Sequence, residues 1–207
     1  METNWAVENL QAIRTLMERS ALYRRALAPI MTFTGLVGII AGVVGWYWGL
    51  GSVRGFAIYW MAVSLLAIAG DYLLVRRQAL RESEPFWSPP TRRVTLAILP
   101  CLFAGLVTGV VFIGWVDDNI KATVLLPVIW MILYGCALHA AGFFMPRGIK
   151  LFAWALIVGG CALLLALSSL EIPSPLCGHV VMGIFFGGCQ LAYGIYLYFT
   201  EPRKNET

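Results

Sequence analysis

Six uninterrupted apolar runs, each about 20 residues long, dominate this 207-residue chain and leave few folds open to it. About 20 residues at 1.5 Å rise cross a ~30 Å hydrocarbon core as a helix. The runs lie near Pro29–Leu50, Phe56–Val75, Val94–Val116, Val124–Phe144, Leu151–Leu170 and Leu176–Phe199. They are continuous rather than alternating, which excludes a membrane β-barrel built from ten-residue strands. Composition excludes a water-soluble domain. Hydrophobic residues make up 59% and charged residues 13%, against about 45–50% and about 25% in soluble folds. The expected fold class is therefore all-α: a polytopic membrane protein with six transmembrane helices. Short connections favour an up-and-down bundle over residues 28–200.

Basic residues give the expected direction. Arg14, Arg19, Arg24 and Arg25 precede the first span. Arg76, Arg77, Arg81, Arg92 and Arg93 lie between the second and third, Arg147 and Lys150 between the fourth and fifth, and Arg203 and Lys204 in the tail. Only Arg54 and Lys121 fall on the other side, with Asp117, Asp118 and Glu171. By the positive-inside rule both termini are cytoplasmic. The net charge of +4 is a topology signal. It is spread over juxtamembrane sites and does not point to nucleic acid. The first span is expected to insert as a permanent helix, since about 28 residues precede it and its small residues come before the apolar run, not after.

Residues 1–27 are expected to form an amphipathic juxtamembrane helix on the cytoplasmic side. Trp5, Leu10, Ile13, Met17 and Ala21 recur at near-helical spacing, with Asn9, Arg14, Glu18 and Arg25 between them. Such a helix either lies in the interface with its arginines toward anionic headgroups, or docks a cytoplasmic protein partner. Pro29 suits the first turn of the first span. Between the second and third spans, the long loop Arg76–Arg93 contains Pro85, Pro89 and Pro90, which break a helix, and Phe86-Trp87, which suit the interface. Residues 201–207 form a cytoplasmic tail.

Three matches share an offset of 70 residues: Gly35-Leu36-Val37 with Gly105-Leu106-Val107, Trp60-Met61 with Trp130-Met131, and Arg77 with Arg147. Gly135-Cys136 also resembles Gly188-Cys189. These fit a parallel three-hairpin repeat, or chance similarity among Gly- and Val-rich spans. The GxxxG pairs Gly38/Gly42, Gly105/Gly109 and Gly183/Gly187 serve close helix packing, either inside the monomer or in a homodimer. Pro100 is expected to kink the third span. Trp46, Trp48, Trp60 and Trp115, with Tyr47 and Tyr59, read as an aromatic belt at the outer ends.

No GxxxxGK[ST], GxGxxG, GxSxG, HExxH or CxxC occurs, so phosphate-loop, dinucleotide, serine-hydrolase, zinc-protease and thioredoxin-like chemistry has no support. No metal site, cofactor or catalytic residue is implied, and a non-enzyme is favoured. The five cysteines read as small packing residues. The two histidines cannot share a haem at equal depth. Helix rise puts His139 at ~22 Å from the outer boundary and His179 at ~5 Å.

One polar layer remains. Asp71, His139 and Gln190 share a depth of roughly 21–22 Å from the outer boundary. Asp71 is the one acidic residue well inside a span, and an intramembrane ionisable group is a functional candidate. His139 is the expected partner of Asp71, Gln190 a bridge, and Tyr72, Tyr134 and Tyr193 the expected neighbours. The layer is either a structural hydrogen-bond cluster or a ligand or proton site.

The stretch Ile13-Arg14-Thr15-Leu16-Met17-Glu18-Arg19-Ser20, running into Ala28-Pro29, resembles part of a functionally uncharacterised group of small bacterial six-span inner-membrane proteins. So do His139-Ala140-Ala141-Gly142 and Gly194-Ile195-Tyr196-Leu197-Tyr198. The resemblance implies a bacterial inner membrane and carries no activity with it. The expected function is that of a scaffold, sensory or partner-binding membrane protein. The alternative is a small permease or channel for a small solute or proton, with the Asp71, His139 and Gln190 layer in its inner half.

Overall fold

The computed structural model describes residues 27–81, 89–145, 147–169 and 171–200. The amphipathic helix expected before Leu27, the Phe86-Trp87 segment and the 201–207 tail lie outside the described residues. Within them the protein is all-α, with six helices long and apolar enough to cross a membrane and no strand. They are α1 (Leu27–Tyr47), α2 (Val53–Arg81), α3 (Pro89–Trp115), α4 (Ile120–Ala141), α5 (Arg147–Ala166) and α6 (Cys177–Thr200). Leu65, Leu66, Leu73, Leu96, Phe103, Leu151 and Leu165 are all more than half exposed. Such an apolar exterior suits hydrocarbon, not water.

Two helix ends differ from expectation for one reason each. α2 continues past Val75 to Arg81. Its last turns contain arginine, glutamine, alanine and leucine, all good helix formers, and long arginine stems carry their charge out to the interface. α3 begins at Pro89, because a proline in the first turn gives up no intrahelical bond. Residues 76–81 and 89–93 of the long loop expected over Arg76–Arg93 are thus helical. Pro100 lies inside an unbroken helical assignment.

α4 is the central helix. It packs against α2, α3, α5 and α6, and half of its most apolar window is buried, against 6% for α2 and 11% for α3. It starts at Ile120 because Asn119 caps it, Oδ1 accepting from the Lys121 N–H at 2.9 Å. It also carries a buried Pro127. Proline has no N–H to offer the carbonyl four residues back, here that of Thr123. Gly178 of α6 lies so close that a Cβ on it would overlap this carbonyl oxygen. Its bare backbone thus covers an acceptor that the bilayer could not solvate.

α1 and α6 run antiparallel in backbone contact along most of their length. Thr32 meets Gly194, Gly35 meets Leu191, Gly38 meets Gly187, Gly42 meets Gly183, and Gly45 meets His179. A Cβ on Gly38 would lie 2.8 Å from Gly187 Cα, and one on Gly42 2.9 Å from Gly183 Cα. Two GxxxG pairs therefore face each other inside the chain. The third faces Trp130 and Met61. Residues 183–188, half of them glycine, are a π-helical turn within α6, a form often seen at functional positions. The 70-residue matches do not share environments. Gly35 meets Leu191 backbone and Gly105 meets the Trp130 indole, while Trp60 is buried and Trp130 half-buried.

The helix ends opposite the Arg76–Arg81 end are tied together. Asp118 Oδ1 accepts from the Val53 N–H at 2.8 Å, and Ser52 Oγ from the Gly55 N–H at 3.1 Å. Arg54 Nε donates to Ile113 O at 2.9 Å. Gly49, at φ 65°, makes the tight turn between α1 and α2. Asp118 is thus a cap supplied from another connection, its charge beside the positive end of α2. Asp118→Ala is expected to cost about 0.5–2 kcal/mol in reversible detergent unfolding. A loss below ~0.2 kcal/mol would mean that water replaces the cap.

Candidate polar site toward the basic helix ends

Four helices each place one oxygen-bearing side chain in the same region. α1 supplies Thr34, α2 Asp71, α4 Tyr134 and α6 Gln190. Helix rise puts them ~10–15 Å from the basic ends of their helices. Gly70 lets α1 approach, since any Cβ there would overlap the Phe33 ring. That approach brings Thr34 Oγ1 to Asp71, donating at 3.0 Å to Oδ1 and 3.1 Å to Oδ2. One hydroxyl hydrogen thus serves both carboxylate oxygens. Tyr134 lies beside the Gln190 side chain and within electrostatic reach of Asp71. Its ring packs on Phe186 at 5.4 Å. Gln190 is 1% exposed, and its Oε1 has no hydrogen-bond partner.

The expected layer is therefore divided. Asp71 and Gln190 are related through Tyr134. His139 is not the partner of Asp71, whose hydrogen bonds come from Thr34. The His139 ring rests on Phe143 at 5.8 Å and Trp154 at 5.6 Å, and its buried Nδ1 is unpartnered. The reason is rotation. His139 follows Tyr134 by five residues, roughly 140° around a helix that turns ~100° per residue, and so faces α5. Equal depth does not make contact. Of the other expected neighbours, Tyr72 is about half exposed and Tyr193 stacks on Phe152 at 4.8 Å. Thr34 was legible only as a hydroxyl in an apolar run, a weak signal because such hydroxyls often bond their own helix. Thr32 does so, to Ala28 O at 2.8 Å.

A second polar centre lies in the half of the bundle away from the basic helix ends. His179 is fully buried. Trp60 Nε1–H donates to its Nδ1 at 3.0 Å, which leaves Nε2–H to donate to Leu50 O at 3.0 Å. Phe56 and Tyr59 pack on the ring at 4.8 and 5.7 Å, and Tyr59 OH donates to Ala41 O at 2.7 Å. Trp60, expected in the aromatic belt, is thus an interior hydrogen-bond donor. Its indole N–H found a partner inside rather than at the interface. Trp46, Tyr47, Trp48 and Trp115 are exposed as a belt requires.

The polar region contains oxygens of one carboxylate, two hydroxyls and one carboxamide. Among the described residues Asp71 forms no salt bridge, and no group of three or more His, Cys, Asp or Glu could hold a metal ion. A groove of ≈ 680 Å³ lies elsewhere, between α1 and α6, lined by Ile39, Val43, Trp46, His179, Val180 and Ile184. No family model matches the chain, and neither the curated proteins nor the solved structures contain a match. Function is therefore read from the chain's own residues.

Proposed function

We propose that this integral membrane protein is a sensory or partner-binding protein of the bacterial inner membrane, with both termini in the cytoplasm. One observation carries the reading: the bundle is closed in its outer half and polar in its inner half. Phe56, Trp60, Leu126 and His179 are at most 3% exposed, and Trp60, His179 and the Leu50 carbonyl are hydrogen-bonded across three segments, so a through-path for a solute has to open them all. The Asp71 region lies on the side of the basic helix ends and suits an input site. The helix expected over residues 1–27 suits the output to a cytoplasmic partner, with the lipid bilayer as its other neighbour. The resemblance to small six-span bacterial proteins supports the membrane assignment. Exposed Arg76, Arg77, Arg81, Arg92 and Arg93 gather at one end of the bundle, with Arg54 and Lys121 at the other, which supports the orientation.

The rival reading, a small permease or channel, draws on Asp71 itself. Proteoliposomes decide between them. The sensory reading expects proton and solute flux no greater than in empty vesicles, and flux abolished by Asp71→Asn would replace it with the permease. Orientation has its own test. A cysteine placed at Ser88 is expected to react with an impermeant maleimide only after the inner membrane is opened, and one at Asn119 from the periplasm. The opposite pattern would invert the topology.

A further inference from the structure

The Asp71 region is short of hydrogen-bond donors and positive charge. A carboxylate offers about four acceptor sites, and here both oxygens share one hydroxyl hydrogen from Thr34. An uncompensated ion inside a bundle is costly. On α6, next to the Leu191 backbone that packs on Gly35 beside Thr34, Gln190 holds a second unused acceptor while almost wholly buried. His139, the partner expected for Asp71, faces α5 instead. All available ligand atoms are hard oxygens, which suits alkali and ammonium-type cations rather than soft metals. A single carboxylate suits one positive charge, whereas divalent sites of the calcium and magnesium kind use more carboxylates or retained water.

We propose that Asp71, Thr34 and Gln190 form a binding site for a monovalent cation, held by carboxylate, hydroxyl and carboxamide oxygens drawn from α2, α1 and α6. Resting on the sensory reading, this names the class of its input. Binding adds a tie among α1, α2 and α6, where α1 and α2 already share the Thr34 hydroxyl hydrogen and α1 and α6 meet through backbone. It also couples the site to α6 just beyond the π-helical turn at Gly183–Gly188.

The test uses the full chain in zwitterionic nanodiscs, with thermal unfolding followed by tryptophan fluorescence. Sodium, potassium and methylammonium chlorides are compared with N-methylglucamine chloride at equal ionic strength and pH. A ligand that binds only the folded state raises the midpoint with its concentration. At least one of the three small cations is expected to give a saturable rise that N-methylglucamine does not. Asp71→Asn is expected to remove the rise, and Thr34→Val and Gln190→Leu to weaken the apparent affinity by roughly tenfold or more. The two milder variants decide the matter if Asp71→Asn fails to fold. The proposal is overturned if no small cation exceeds the glucamine control, if pH alone moves the midpoint, or if Thr34→Val and Gln190→Leu respond like the parent. A cation response accompanied by flux in proteoliposomes defeats the sensory reading and leaves the site standing. A flat response without flux does the reverse.

Discussion

Replacing His179 by alanine is expected to destabilise the protein by about 4 kcal/mol or more, since buried large-to-small changes cost ~2–5 kcal/mol and each stranded polar group about 1–3 kcal/mol more. His179 is fully buried. It joins α6 to Trp60 of α2 and to Leu50 in the turn after α1. Removing the ring strands the indole N–H and a carbonyl together, in a region without bulk water, and opens a cavity beside Phe56. Conservative variants separate these terms. His179→Gln keeps a donor able to reach Leu50 O, and is expected to recover part of the loss. Trp60→Phe keeps most of the packing and strands only Nδ1, so a cost of about 1–2 kcal/mol is expected. In a double-mutant cycle by reversible detergent unfolding, the Trp60 and His179 changes should couple by ~1 kcal/mol or more. A His179→Ala protein within ~0.5 kcal/mol of the parent would show that water enters the outer half and that the bundle is not sealed there.

Gly187→Ala is the second large effect. The added Cβ would lie 2.6 Å from Ile39 N and 2.9 Å from Gly38 C, where ordinary contacts begin at 3.4 Å. Both obstacles are backbone, so no rotamer relieves the clash and α1 must move off α6. Overpacking of this kind costs typically 1–3 kcal/mol, and the upper end is expected, because the displacement also parts Gly42 from Gly183 and draws Gly45 from His179. Gly114→Ala is the internal control. Nothing lies within 4 Å of a Cβ at Gly114, so that change should be neutral or stabilising by up to ~1 kcal/mol through helix propensity. Equal behaviour of the two variants would refute the α1–α6 seam. Loss of folding in the monomer is also the expected readout that separates intramolecular packing from dimerisation, because the same glycines would be free for a partner copy only if α1 and α6 came apart.

The six spans could be read from the chain because a helix crossing the bilayer needs a certain length of apolar residues, and that requirement is local. Where arginine and lysine fall along the chain is local too, and the proposed orientation rests on it. Depth in the membrane was legible for Asp71 and Gln190, since it depends only on residues counted from a helix end. Partnership was not. Thr34 reaches Asp71 because Gly70 admits the Phe33 ring, and His139 turns away because it lies about a third of a turn or more from Tyr134 around α4. Both depend on which helices are neighbours and how each is rotated, and apolar runs exposed to lipid on several sides carry little record of either. The same holds for His179. Its distance from the outer boundary could be counted, but its role as the hydrogen-bonded node of the outer half required α1, α2 and α6 to meet. Local sequence thus determined what crosses the membrane, where each span starts within a turn or so, and the depth of the polar residues. The tertiary structure alone decided which glycines lie on one another and which oxygens share a site, because those are facts of helix order and rotation set by packing across the bundle.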